Sequence, residues 1–338
     1  MFKKSIIALA GALALGASGA DVTINGVGAS FPAPVYRIWT YGFSNTSGGI
    51  RVNYQPLGSG AGINQVKAGT ADFGGTDKPL DVKELNESKL LQFPMLSGGV
   101  VLICNLPGIR DNQLKLDQAV LADIFLGKIT NWSDPRIAAL NQGLKLPKMK
   151  ITVVRRADSS GTTYIFTDYL SKISPEWAKQ VGAGADVKWP VGIGGSKNPG
   201  VCNMVRKSRG AIGYTEYTFA AEYKIPVASL KNKDGKFVQP NSRTFASAAA
   251  YADWKADQGF CQMLTEQPGA ESWPIVGVTY ILLPREQKNP EKRKALLKYF
   301  NWCFDAGRAS AAKMHYVPMP ENVVKMIRAS WQNEWKNQ

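Results

Sequence analysis

Apolar positions along the chain recur in two alternating patterns, short β-rich runs and stretches of helical period, and that alternation predicts an α/β protein. Val22–Asn25 reads as a strand, followed by a glycine turn and a helix from about Pro32 to Phe43. Residues 50–55 read as a strand, Gly58-Ser59-Gly60-Ala61-Gly62 as a loop, and Ile63–Ala68 as a helix. Lys150–Arg155 reads as a strand, Ala157 to Gly161 as a loop, and Thr162–Leu170 as a helix. Near the end, Ile275–Leu283 is a strand, and Asn289-Pro290 starts a helix to Asp305 as a cap followed by proline. Val323, Val324, Ile327 and Trp331 share one face of a last helix.

The first residues obey a different rule. Lys3 and Lys4 precede an apolar run from Ile6 to Ala17, and Ser18-Gly19-Ala20 places small residues at −3 and −1. This is the pattern of a signal peptide over residues 1–20, with cleavage expected before Asp21. Twelve apolar residues are too few to span a bilayer, and no cysteine stands at the cut to take a lipid, so a protein without membrane insertion, outside the cytoplasm, is expected. The chain of 338 residues has 41 Lys+Arg against 26 Asp+Glu, a formal charge of +15, and loss of two lysines leaves about +13. The basic residues are scattered, and the aromatics form no stacking platform, so no nucleic-acid partner is expected.

The chemical inventory is short. His315 is the only histidine and no C-x-x-C occurs, which leaves neither a metal site nor a conventional Ser-His or Cys-His centre; no cofactor is implied. Ser310-Ala311-Ala312-Lys313 fits S-x-x-K, but its companion motifs are missing. Cys104, Cys202, Cys261 and Cys303 permit two disulfides in an oxidising compartment, although Cys104 and Cys303 sit among apolar neighbours as small core residues do.

Three strand–loop–helix junctions share Gly and hydroxyl residues, around Ser30, Ser59 and Ser160. Helix N-termini offer free N–H groups and a positive dipole end, so each junction is a candidate anion site as well as a plain tight turn. The third follows Arg155-Arg156, and one of these arginines points into the cleft because strand side chains alternate. Its guanidinium fork suits phosphate or carboxylate, with Asp158 holding it. The alternative is a solvated Arg–Asp pair of little value. Asp77, after a short apolar strand and before Lys78-Pro79, reads on its own as a turn aspartate.

Asn25-Gly26-Val27-Gly28-Ala29-Ser30-Phe31-Pro32-Ala33-Pro34-Val35-Tyr36 closely resembles the opening of the periplasmic phosphate-binding proteins, receptors of ABC-type phosphate uptake. Similar matches are Asn53-Tyr54-Gln55 with Gly58-Ser59, Ala71-Asp72-Phe73-Gly74 with Asp77, Val153 to Thr162, Lys188-Trp189-Pro190-Val191-Gly192, and Gly210-Ala211-Ile212-Gly213-Tyr214. The resemblance implies a two-lobe periplasmic binding protein fold, type II-like, with ligand in the cleft. It places phosphate ligands at Ser30, Phe31, Ser59, Asp77, Arg156, Ser160, Gly161 and Thr162, with Asp158 orienting the arginine. Lobe one is expected at about 21–105 and 275–338 and lobe two at 106–274, crossing near Asn105-Leu106-Pro107 and Trp273-Pro274. Gly60 departs from the resemblance, since a second serine is common there, and so do the four cysteines.

Such a set would present N–H groups of Phe31, Ser160 and Thr162, hydroxyls of Ser30, Ser59, Ser160 and Thr162, and the Arg156 fork to a buried oxyanion. Asp77 then accepts the proton that phosphate retains and sulfate lacks. The implied function is a monomeric, non-enzymatic receptor delivering inorganic phosphate to an inner-membrane ABC-type permease and its ATPase. A receptor for another oxyanion such as sulfate is the near alternative, opposed by Asp77. A secreted phosphatase or esterase using Ser59 or Ser160 as nucleophile is the distant one, and it lacks a base or metal.

Overall fold

Eight strands form one hydrogen-bonded path in the computed structural model, which describes residues 22–335; the expected signal peptide, 1–20, lies outside the described residues. They are β1 (Val22–Gly28), β2 (Ile50–Gln55), β3 (Phe73–Thr76), β4 (Leu90–Cys104), β5 (Thr152–Arg156), β6 (Ile193–Gly195), β7 (Ala211–Glu216) and β8 (Ile275–Pro284). Their order is β2-β1-β3-β8-β4-β7-β5-β6. β1 runs parallel to β2 and β3, β8 antiparallel to β3 and β4, and β5 parallel to β6 and β7. The helices that matter below are α1 (Ala33–Thr46), α2 (Ser59–Lys67), α3 (Gly161–Ile173), α4 (Lys197–Lys207), α5 (Pro290–Phe304) and α6 (Glu321–Trp335).

The fifteen residues of β4 are buried except for the partly exposed Leu91, and the strand runs through the middle of the sheet. This strand joins the two halves of the sheet. Its residues Leu90 to Gly99 pair with β8, whereas Val100 to Cys104 pair with β7. Trp273, fully buried just before β8, donates from its indole to the Val100 carbonyl at 2.9 Å and pins the second chain segment at the same place. The architecture is the two-lobe periplasmic binding protein fold, with β2-β1-β3-β8 on one side and β7-β5-β6 on the other.

Strand and helix identities follow the pattern read from sequence, and the boundaries shift by a few residues. The largest difference is α2, which starts at Ser59 and not at Ile63. Gly60 and Gly62 are therefore helical, and packing explains Gly62: a Cβ there would stand 2.5 Å from the Gly75 carbonyl and 2.8 Å from Gly28 Cα. The glycine lets the helix lie directly on β1 and β3. α5 begins as expected, with the Asn289 side chain accepting from the Glu291 and Lys292 N–H groups ahead of Pro290. Leu296, Phe300, Cys303 and Phe304 are buried on its inner face. All four cysteines carry free thiols, with Cys104, Cys202 and Cys303 buried. Burial pushes the Cys104 thiol up to about 12, the mark of an inert core residue. His315 is exposed and set edge-on to the Tyr217 ring at 5.3 Å. Ser310 is structural, accepting from the Trp39 indole and donating to the Gly307 carbonyl. Among the described residues no helix is long and apolar enough to cross a membrane.

Candidate functional site

The three glycine and hydroxyl junctions converge. β1 delivers Ser30 and Phe31 ahead of α1, β2 delivers Ser59 at the first turn of α2, and β5 delivers Arg156 ahead of α3. Ser59 Oγ lies 3.1 Å from the Gly161 N–H and 3.1 Å from the Asp77 N–H, so it accepts from both sides of the cleft. Ser30, Phe31, Ser59, Asp77, Arg156, Ser160, Gly161 and Thr162 are all buried.

Phe31 contributes its backbone. Its ring is wholly inside the core against Tyr316, with centroids 6.2 Å apart, and its carbonyl accepts from the Tyr316 hydroxyl at 2.8 Å. Those contacts fix the peptide and leave the Phe31 N–H without a protein acceptor among the described residues. Thr162 N–H, in the first turn of α3, is in the same state, as helix N-termini leave such groups free. Ser160 caps that helix, its hydroxyl accepting from the Thr163 N–H at 3.1 Å. One sequence expectation fails here. The Ser160 N–H donates to the Ala185 carbonyl at 2.8 Å, so only the hydroxyl of this residue is left to offer.

Arg156 is the arginine that points inward, with 3 % of its surface exposed. Its Nε and Nη2 donate to the two oxygens of Asp158 at 2.9 and 2.5 Å, and Nη1 lies 3.4 Å from Thr162 Oγ1. Burial alone would raise the Asp158 carboxyl, yet the arginine's hydrogen bonds and charge, with the Lys197 N–H at 2.9 Å, hold it below the ordinary carboxylate range. The solvated ion pair is thereby excluded: this is a buried, oriented fork with a free edge.

Asp77 is 2 % exposed, and its Oδ1 has no hydrogen-bond partner. Burial pushes its carboxyl up to about 7. Three neighbours pull the other way: the Thr279 hydroxyl beside it (itself unpartnered in hydrogen-bond geometry), the Arg156 charge, and the Ser59 hydroxyl. The turn-aspartate reading accounts for none of this, because a capping carboxylate would be hydrogen-bonded.

Sequence reasoning overlooked Asn198 and the Lys197 N–H. They belong to a fourth junction, β6 to α4, where Gly194-Gly195-Ser196 precedes a helical period of Val201, Cys202 and Val205. That signal was present in the same form as the other three. At Gly60, a Cβ would meet Ser159 Cβ at 2.7 Å, and the Gly60 N–H donates to the Ser159 carbonyl at 3.3 Å. The departure from the usual serine goes with a close backbone contact across the cleft.

Fold and cleft together define a two-lobe binding protein, and the PBP superfamily domain matches residues 15–306. Phosphate-binding protein PstS of Pasteurella multocida is 48% identical over 315 residues, covering 93% of this chain and 91% of that protein. Phosphate-binding protein PstS of Xylella fastidiosa is 46% identical over 316 residues, covering 94% of this chain and 86% of that one. The chain belongs to the phosphate-binding proteins of the PBP superfamily. The crystal structure of an ABC-type phosphate transport receptor from Vibrio cholerae shares the fold, with a TM-score of 0.58 at 19% identity, over 88% of this chain and all of that one.

Proposed function

We propose that this chain is an extracytoplasmic receptor that binds inorganic phosphate between its lobes and delivers it to an ABC-type permease and its ATPase. The observation that carries the reading is an unequal set of buried, unanswered groups. Free donors line one site: Phe31 N–H, Thr162 N–H, the hydroxyls of Ser30, Ser160 and Thr162, and the outer edge of Arg156. Among them stands the Asp77 carboxylate, its Oδ1 buried without a hydrogen-bond partner and its Oδ2 the oxygen nearest Gly161. An anion that carries one proton satisfies that set, because it accepts from every donor and donates once. Buried donors to a charged ligand contribute about 1.5–3 kcal/mol each, so several suffice for tight binding.

Ser59 completes the site by receiving N–H groups from Asp77 and Gly161, and Asp158 orients the arginine. The lobes comprise 21–105 with 275–338, and 106–274; the change of β4's partner between Gly99 and Val100 and the start of β8 at Ile275 favour that division. The protein is exported, cleaved before Asp21, monomeric, and performs no catalysis. Ligand bridging both lobes favours the closed form, and the permease reads that form. Calorimetric titration of phosphate-stripped protein with phosphate tests the reading: one-to-one binding is expected, and no binding heat at any temperature overturns it.

A further inference from the structure

Asn198 is completely buried at the point where the two sides of the cleft meet, and no role assigned so far uses it. It lies in the first turn of α4. Its Oδ1 accepts from the Thr215 hydroxyl at 3.1 Å and from the Glu216 N–H at 3.4 Å, both on β7. A backbone N–H can only donate, so the oxygen end of the amide is fixed toward β7 and the NH₂ end toward the cleft. There Nδ2 lies 3.1 Å from Ser30 Oγ and 3.4 Å from Thr162 Oγ1. These hydroxyls come from opposite sides of the cleft, Ser30 from the start of α1 and Thr162 from the first turn of α3.

An amide nitrogen offers hydrogens and no lone pair, so each hydroxyl meets it as an acceptor and turns its own proton elsewhere. Thr162 Oγ1 also receives the Arg156 Nη1 hydrogen, which fills its second lone pair. Neither hydroxyl donates to a protein acceptor among the described residues. We infer that Asn198 is a positioning residue of the oxyanion site: its NH₂ group holds Ser30 and Thr162 as acceptors, so that both aim their protons at the bound ion, and it ties the two sides of the closed cleft. This rests on the phosphate reading and assigns Asn198 no contact with the ion.

The test is a pair of substitutions read by phosphate titration. Asn198→Asp keeps the shape and the oxygen toward β7 but replaces the NH₂ donor with a carboxylate acceptor, which recruits both hydroxyl protons. Asn198→Ala removes the donor together with the oxygen that accepts from β7. The isosteric Asp is expected to weaken phosphate binding more than Ala does, by about 100-fold against about tenfold. A purely architectural role reverses that order. A double-mutant cycle then isolates the route: in a Ser30→Ala, Thr162→Val background, Asn198→Ala is expected to cost phosphate binding at most about twofold, because the hydroxyls it positions are gone. The cycle also carries the test should the Asp variant fail to fold. If wild type binds phosphate and the losses add independently, this inference is overturned and the receptor reading stands. If wild type binds no phosphate, the receptor reading falls and this inference with it.

Discussion

Gly161 and Asp77 stand against each other across the cleft so closely that a Cβ on the glycine would lie 2.5 Å from the aspartate's Cβ and 2.6 Å from its Oδ2. The glycine opens α3 with ordinary helical backbone, so alanine suits its own helix and collides only with Ser59 and Asp77 across from it. Gly161→Ala is therefore expected to weaken phosphate binding about 10- to 100-fold, the scale of an overpacked contact, while the melting temperature of the ligand-free protein stays near that of wild type. Calorimetry and thermal unfolding of the one variant check both halves; unchanged affinity would mean that the cleft does not close on its ligand as described.

Asp77 titrates in the pH range where its two forms suit different ions. Sulfate carries no proton to give, so it needs the protonated carboxyl. Because burial places that carboxyl at about 7, the protonated fraction rises steeply on acidification below neutrality. Sulfate affinity of the wild-type protein is expected to increase about tenfold from pH 8 to pH 6. In Asp77→Asn, whose amide cannot titrate, sulfate binding is expected to be flat over that range. Titrations at the two pH values decide it.

Arg156 holds Asp158 with two donors and reaches Thr162 with a third, a geometry only a planar fork provides. Arg156→Lys keeps the charge and loses the fork. Phosphate affinity is expected to fall about tenfold to 100-fold, the value of one charge-assisted hydrogen bond, and a smaller loss would mean that charge alone is sufficient.

Behind Phe31 sits a second buried carboxyl, Glu216. Tyr316 has one proton and lies 2.8 Å from the Phe31 carbonyl and 3.0 Å from Glu216 Oε2, so a protonated Glu216 is what lets both contacts be hydrogen bonds. Burial pushes that carboxyl up to about 8, against the Thr218 N–H and the Tyr316 and Thr218 hydroxyls. An acid held above its unfolded value keeps its proton in the folded state while the unfolded chain releases it, so stability falls as pH rises from about 4 to about 8. Asp77 adds to the same slope below about 7. The unfolding temperature of the ligand-free protein is expected to drop over that interval, and Glu216→Gln, which supplies a permanent N–H to Tyr316, is expected to make the decline shallower.

The sequence carried much of this site because its chemistry is local. Each junction keeps its strand end, glycine, hydroxyl and helix within a few residues, so the Arg156 to Thr162 segment was legible as an anion cradle from its own spacing. Asp77 was not legible in that way. Its meaning depends on residues distant in sequence, Ser59 and Thr279 beside it and Gly161 across from it, and only the resemblance to phosphate-binding proteins anticipated its place. The bond of the Ser160 N–H is not legible in sequence because its acceptor, Ala185, lies in a loop with no pattern. α2 starts earlier than its pattern suggests because glycines usually mark loops, whereas Gly62 serves a helix–strand contact that no local period reveals.

The most direct test of the central claim is the ratio of phosphate to sulfate affinity at pH 8, measured by calorimetry for wild type and for Asp77→Asn. A buried carboxylate among donors predicts that wild type prefers phosphate by about 10⁴ or more, and that Asn, which donates where Asp accepts, collapses the preference by at least about 100-fold. An unchanged ratio in the variant would contradict the account, because the unanswered oxygen of Asp77 would then have no part in choosing the ion.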